Sequence, residues 1–193
     1  MVTMKRIIWA LRVMNWPTCE RVLRGPSGKW GWCAEDEREE VSYFGIGIYH
    51  TKNSINVGTL WRSASSMGAA FIFTIGRRYS RQGSDTLDAP GHVPLFSYLS
   101  FDEFFKTMPS RGRLVGVELD DAATPIMNFA HPEQAVYLLG AEDNGLPFHV
   151  LSRCHSVIQL PGHACLNVAV AGSIVIFDRI SKASATGHLG ERE

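Results

Sequence analysis

The run 166–180, LNVAVAGSIVIFDRI, is apolar on nearly every side of a helix. A helix without a polar face must be buried, and Ala169, Ala171, Gly172 and Ser173 within it permit another backbone to come close. Upstream lie five short apolar runs of strand length, at 44–49, 70–75, 113–119, 135–140 and 156–160. Between them, 56–68 places Val57, Leu60, Trp61, Ala64 and Met67 at helical spacing, with Arg62, Ser65 and Ser66 on the other side. Residues 101–107 read as a short helix, and another begins near Pro147. Continuous apolar strands alternating with helices predict an α/β domain with a parallel sheet flanked by helices. After Ser181 the chain turns polar and is expected to fray. The organisation read from the sequence is a basic extension with an acidic linker at 1–41, a domain at 42–182 and a flexible tail at 183–193.

Composition narrows the function little. Lys+Arg and Asp+Glu balance at 19 each, so any nucleic-acid surface has to come from local clustering of charge. Four cysteines are too few for a disulfide scaffold at this length and fit a reducing compartment. No apolar run approaches the roughly 20 residues that span a membrane. The first residues carry Lys5, Arg6 and Arg12 without an acid, but Arg12 interrupts the apolar stretch and no cleavage site follows. A cytoplasmic protein is expected, with organellar targeting left open. Cys19 and Cys33 belong to no close pair beside a histidine cluster, so no metal is expected. The segment 25–29, GPSGK, fails as a phosphate loop because Leu23 replaces the first glycine and Trp30 the hydroxyl residue.

Three segments carry chemistry. In the first, Asn56-Val57-Gly58-Thr59-Leu60-Trp61-Arg62, Asn56 stands where a helix cap is expected and Arg62 on the polar side. In the second, Gly140-Ala141-Glu142-Asp143-Asn144-Gly145-Leu146-Pro147 follows a strand, at the edge where functional groups of α/β folds gather. Asp143-Asn144-Gly145 is also an ordinary turn. In the third, Leu160-Pro161-Gly162-His163-Ala164-Cys165-Leu166-Asn167-Val168 joins a strand to the buried helix, with Asn167 as a candidate cap. The short spacing of His163 and Cys165 at a helix entrance does not make a nucleophilic dyad.

Together, in this order, the three segments resemble the motifs of the SpoU (TrmH) branch of the SPOUT RNA methyltransferases. The resemblance spans about 43–180. It implies a fold whose C-terminal segment passes through a loop to form a trefoil knot, a crossing that general connection rules do not anticipate. It implies S-adenosylmethionine as cofactor, RNA (transfer or ribosomal) as substrate, and a homodimer. By analogy Arg62, Asn56, Glu142 and Asn167 form the catalytic set. Gly140, Leu160, Leu166 and Leu119 contact the cofactor, and Cys165 lies near the RNA. The family usually has serine where this chain has Cys165 and Ala169, and a thiol is a weaker hydrogen-bond donor than a hydroxyl. Family descriptions make the arginine a general base, but a guanidinium with a pKa above about 12 is better suited to clamping phosphate and stabilising a developing alkoxide.

A second RNA-binding candidate stands apart from the motifs. Arg77-Arg78-Tyr79-Ser80-Arg81 opens a polar stretch reaching about His92, with three arginines and an aromatic suited to phosphates and bases. Arg21, Arg24, Lys29, Trp30 and Trp32 offer a further basic surface in the extension. The expected activity is methyl transfer to a ribose 2′-hydroxyl. Methylation of a base nitrogen, a catalytically silent RNA-binding member of the same fold, and an unrelated α/β nucleotide-binding protein are the alternatives.

Overall fold

The computed structural model describes residues 23–24, 30–31, 42–76, 93–141, 143–162 and 164–185. The chain divides into two compact units after Val41. In the first, β1 (Leu23–Arg24) pairs antiparallel with β2 (Trp30–Gly31). Cys19, Cys33 and the rest of that segment lie outside the described residues, as do the arginines 77, 78 and 81.

The second unit is built on seven parallel strands. In chain order they are β3 (Tyr43–Tyr49), β4 (Phe71–Ile75), β5 (Leu95–Tyr98), β6 (Arg113–Val117), β7 (Thr124–Pro125), β8 (Gln134–Leu139) and β9 (Ser156–Gln159). In space the order is β5-β4-β3-β8-β6-β9-β7. Among the described residues four α-helices accompany them: α1 (Ser54–Ser66), α2 (Phe101–Thr107), α3 (Phe148–Leu151) and α4 (Val168–Ala185). The five strands expected from apolar runs are present, and α2 has the expected bounds. β5 and β7 are additional. Both are short and partly exposed, with no continuous apolar run to announce them.

Alternation along each strand sorts the core onto two faces. Ile46, Ile48, Tyr137, Leu139, Val115 and Ile158 meet Val57, Leu60 and Trp61 of α1 and Val175 and Ile176 of α4. On the other face Phe73, Ile75, Leu114, Val136 and Leu138 meet Phe101 and Phe104 of α2 and Val150 of α3. Phe73 and Phe104 stack there with ring centroids 4.4 Å apart. Gly172 is the small residue that matters most on α4. A Cβ at that position would lie 2.5 Å from Leu60 and 3.1 Å from Leu139, so the helix approaches α1 and the sheet through the space a side chain would fill.

β9 lies between β6 and β7, although those two are consecutive in sequence. Residues 118–133 therefore arch past the end of β9, and α4 is tied to that arch. Lys182 donates to the Ile126 and Phe129 carbonyls at 2.6 and 3.1 Å. Buried Arg179 donates to Pro132 O at 2.5 Å, Glu133 O at 2.6 Å and the Tyr137 hydroxyl at 3.3 Å. These bonds explain why α4 continues to Ala185, past the polar stretch from which fraying was expected.

The same end of α4 holds a chain of polar groups whose protons can be placed. Asp178 Oδ2 lies 2.7 Å from His131 Nε2 and 2.7 Å from Lys182 Nζ. His131 Nδ1 lies 2.6 Å from the Tyr137 hydroxyl. Burial opposes ionisation of Asp178, but the hydrogen bonds from Lys182 and His131 outweigh it and hold the carboxyl below its usual range. Burial pushes Tyr137 up to about 12, so it keeps its proton. The Asp178 carboxylate only accepts, so Nε2–H donates to it. Tyr137, accepting from Arg179, donates to an unprotonated Nδ1. A neutral imidazole satisfies every member, and burial lowers the His131 pKa despite the pull of Asp178.

That assignment fixes a sign. The unfolded chain binds the His131 proton more readily, so this contribution is complete above the unfolded value of about 6.5 and is lost as pH falls below it. Asp178 acts in the same sense at lower pH, its contribution present above the unfolded carboxyl value and lost on further acidification. The melting temperature is expected to fall between pH 7.5 and 5.5, with a shallower fall in His131→Gln despite its lower starting point. Equal slopes in a fluorimetric melting series would contradict the neutral, buried imidazole.

Candidate active site

Two asparagines bring the first and third sequence motifs together. Asn56 is buried in the first turn of α1, its amide donating to Asn53 O at 3.1 Å. The cap of α1 is Asn53, whose Oδ1 accepts from Ile55 N at 2.9 Å. The cap expected at Asn56 is thus corrected by one turn, because the polar run before it extends the helix start backwards. Asn56 Oδ1 accepts from Asn167 Nδ2 at 3.0 Å. Asn167 Oδ1 in turn accepts from the Ala169 and Val170 amides at 3.0 and 3.4 Å, capping α4 as expected. One side chain therefore starts the last helix with its oxygen and fastens it to α1 with its nitrogen. Further along the pair, the Ser63 and Ser173 hydroxyls are 2.8 Å apart.

Arg62 projects from α1 as an exposed residue, beside a helix face whose Asn56, Val57, Leu60, Trp61 and Ala64 are buried. Trp61 Nε1 donates to Val93 O at 2.9 Å and fixes the roll of that helix.

The second motif is organised by a residue the sequence reading passed over. Glu118 follows β6, and its Oε2 accepts from Leu146 N at 2.6 Å while Oε1 accepts from Leu119 N at 3.1 Å. Ala141 and Gly145 exchange backbone bonds of 3.3 and 3.0 Å and close the loop. A Cβ on Gly140 or Gly145 would come within 2.5 or 2.4 Å of the Glu118 carboxylate. The two glycines of the motif thus make room for an acid from another strand, and that acid supports the loop. A glutamate after a strand carries no sequence signal of this role. Glu142 lies outside the described residues.

Around this loop the expected cofactor residues occupy neighbouring strand ends. Leu119 leaves β6, Gly140 leaves β8, Leu160 leaves β9, and Leu166 precedes α4. Leu160 packs against the core, whereas Leu119 and Leu166 are each 45% exposed. Cys165 is exposed and Ala169 fully buried. Among the described residues no group of three or more His, Cys, Asp or Glu is placed to hold a metal, and no helix is long and apolar enough to cross a membrane.

A family model described as the SpoU rRNA Methylase family matches residues 44–177. The chain belongs to this family. A tRNA (cytidine(34)-2'-O)-methyltransferase of Ancylobacter novellus is 26% identical over 155 residues, covering 75% of this chain and 96% of the relative. The 23S rRNA (guanosine-2'-O-)-methyltransferase RlmB of Acinetobacter baylyi is 26% identical over 132 residues, and the match covers 64% of this chain but only 53% of that protein. Among solved structures, one concerned with the 2-OH methylation of C/U34 on tRNA superposes with a TM-score of 0.63 at 24% identity, over 76% of this chain and 98% of the other. An AdoMet-bound rRNA methyltransferase from Sinorhizobium meliloti gives a TM-score of 0.63 at 20% identity, over 77% and 57%.

The bond between the two asparagines can be weighed separately from what each does alone. In a double-mutant cycle, Asn56→Ala and Asn167→Ala are each expected to lower stability, with a coupling energy of about 1 kcal/mol. Additive losses in urea unfolding would show that the contact contributes nothing of its own.

Proposed function

We propose that the protein transfers the methyl group of S-adenosylmethionine to a ribose 2′-hydroxyl of RNA. Family membership carries the class of reaction. The observation that supports its working in this chain is the Asn56–Asn167 bond, which holds the motif bearing Arg62 against the start of the last helix. The chain spans nearly all of the cytidine-34 relative, so transfer RNA is the first substrate we assign, ahead of ribosomal RNA.

The residues fit an adenosine-bearing cofactor. Leu119 and Leu166 keep nearly half their surface exposed on adjacent loops, as apolar ground for a purine needs. The backbones of Gly140 and Leu160 lie at the ends of the strands between and beside them. When bound, the cofactor supplies an electrophilic methyl on a sulfonium. The protein's own contribution is placement of the acceptor hydroxyl and stabilisation of the charge it develops. We assign that to Arg62, which clamps an RNA phosphate with its fork of donors and faces the developing alkoxide. Asn56 and Asn167 are positioning residues beneath it, and Glu142 completes the catalytic set.

We infer further that the segment leading into α4 threads the 118–133 arch as a trefoil knot, which the place of β9 between β6 and β7 supports. Val170, Ile174 and Phe177 on α4 and Ile55 on α1 are exposed apolar side chains, and they support a homodimer formed through this helix pair.

Labelled S-adenosylmethionine with unmodified transfer and ribosomal RNA transcripts, digested to nucleosides, tests the reading. Label is expected in a 2′-O-methylnucleoside, reduced about a hundredfold or more in Arg62→Ala and not rescued in Arg62→Lys, whose ammonium lacks the fork. Label in a base would move the acceptor to a ring nitrogen. RNA binding without transfer would make the protein a silent member of its family. Glu118→Ala is expected to weaken cofactor binding by about tenfold or more in titration calorimetry, since two amides lose a charged acceptor that shapes the loop. Unchanged affinity would remove Glu118 from the site.

A further inference from the structure

A cleft of about 620 Å³ opens at the carboxyl ends of β3 and β4, walled on the far side by the loop after β8. Among the described residues it takes none of those expected to hold the cofactor, and neither Asn56, Arg62 nor Asn167. Its volume suits a nucleotide. One wall is aromatic: Tyr49 and His50 meet edge to face with ring centroids 4.4 Å apart. His50 is the only non-glycine residue with positive φ among those described, at 49°. Strain of this kind is held where the surroundings over-determine it, and its presence points to use.

The surroundings of His50 are specific. Its amide donates to Ile75 O at 2.8 Å. Its ring lies over Gly76, where a Cβ would come within 2.3 to 2.6 Å of the ring atoms. Gly76 itself has φ of 82° and donates to Tyr98 O at 2.8 Å, so two left-handed residues on adjacent strands lock the imidazole at the cleft wall. The ring is thereby held at the mouth while the residue stays exposed.

Across the cleft Lys52 forms an ion pair with Asp143, both more than half exposed. A pair this exposed contributes little to stability and is readily exchanged. Asn144, also exposed, adds an amide able to both donate and accept. A stacking wall, a cation with a displaceable partner and an amide on one loop are the elements that recognise an unpaired nucleotide.

We propose that this cleft is a subsite for a nucleotide of the substrate RNA flanking the methylated one, in which the His50 ring, backed edge to face by Tyr49, stacks on the base and Lys52 exchanges Asp143 for a phosphate. The proposal rests on the RNA-methyltransferase reading. It adds to that reading a place that selects the RNA, on the same segment as Asn56 and the same loop as Gly140.

The test is binding of fluorescein-labelled unmodified transfer RNA transcripts by anisotropy, with S-adenosylmethionine affinity measured alongside. His50→Gly removes the ring and suits φ of 49° better than histidine does, so loss of fold does not confound it. We expect His50→Gly and Lys52→Gln each to bind RNA about tenfold more weakly, with cofactor affinity within about twofold of wild type and the KM for RNA raised while kcat holds. The salt slope of binding should fall by about 0.7 in Lys52→Gln. RNA affinity unchanged in both variants overturns the proposal, as does a wild-type protein that binds no transcript. A wild type that binds RNA through these residues but transfers no methyl group leaves the subsite standing and removes the catalytic reading instead.

Discussion

A guanidinium buried among carbonyl oxygens holds the end of the last helix. Arg179 collects the Pro132 and Glu133 carbonyls and the Tyr137 hydroxyl, and lies over the Phe44 ring. A charge taken out of water is tolerated only where such partners surround it, so the helix has one favourable seat. From that seat follows the rest of the carboxyl edge. α4 runs back against α1, Gly172 admits Leu60, and the helix start arrives where Asn167 reaches Asn56. The structural anchor and the chemical edge are the two ends of a single helix.

The supports at the two ends differ in kind. At the far end the bonds are part-buried and several are charge-assisted, and they hold a neutral histidine between a phenol and a carboxylate. At the near end an amide pair joins the two helices, and the neighbouring loops keep exposed leucines and a thiol. Local stability of this graded sort leaves binding loops free to adjust while the elements beneath them do not. Glu118 fits the same pattern, since it belongs to a core strand's end yet fixes the loop of the second motif by two backbone bonds.

Much of the fold was legible because apolar runs and helical spacing report burial directly. The five core strands and the Phe101–Thr107 helix follow from pattern alone. β5 was not legible, because a four-residue, half-buried edge strand after a polar stretch has little apolar signal. The cap of α1 was misplaced because Asn53 and Asn56 are chemically identical, and only the direction of the chain decides which one starts the helix. Of the candidate site, the motifs pointed to Asn56 and Asn167, which the structure joins by a hydrogen bond, and to Gly140 just after β8. Glu118 and the cluster of His131, Tyr137, Asp178 and Arg179 were invisible, since their partners are distant in sequence and each residue alone reads as solvated or structural. The left-handed backbone of His50 was equally hidden, as glycine and asparagine are the usual markers of that conformation.

The two departures from the family's serine pattern are not equivalent once burial is known. Ala169 is completely buried among the residues that seat α4 against α1, and its carbonyl accepts from Ser173 at 2.8 Å. A hydroxyl there would need a partner inside an apolar cluster, so alanine at this position belongs to packing. Cys165 is exposed on the loop before Leu166, where its side chain meets solvent. The accessible chemical difference between this chain and the family pattern therefore narrows to a single exposed weak donor, Cys165. In the reaction we propose, the positioning that a hydroxyl would supply there falls to Asn167, held at both ends of its amide, and to the clamp we assign to Arg62.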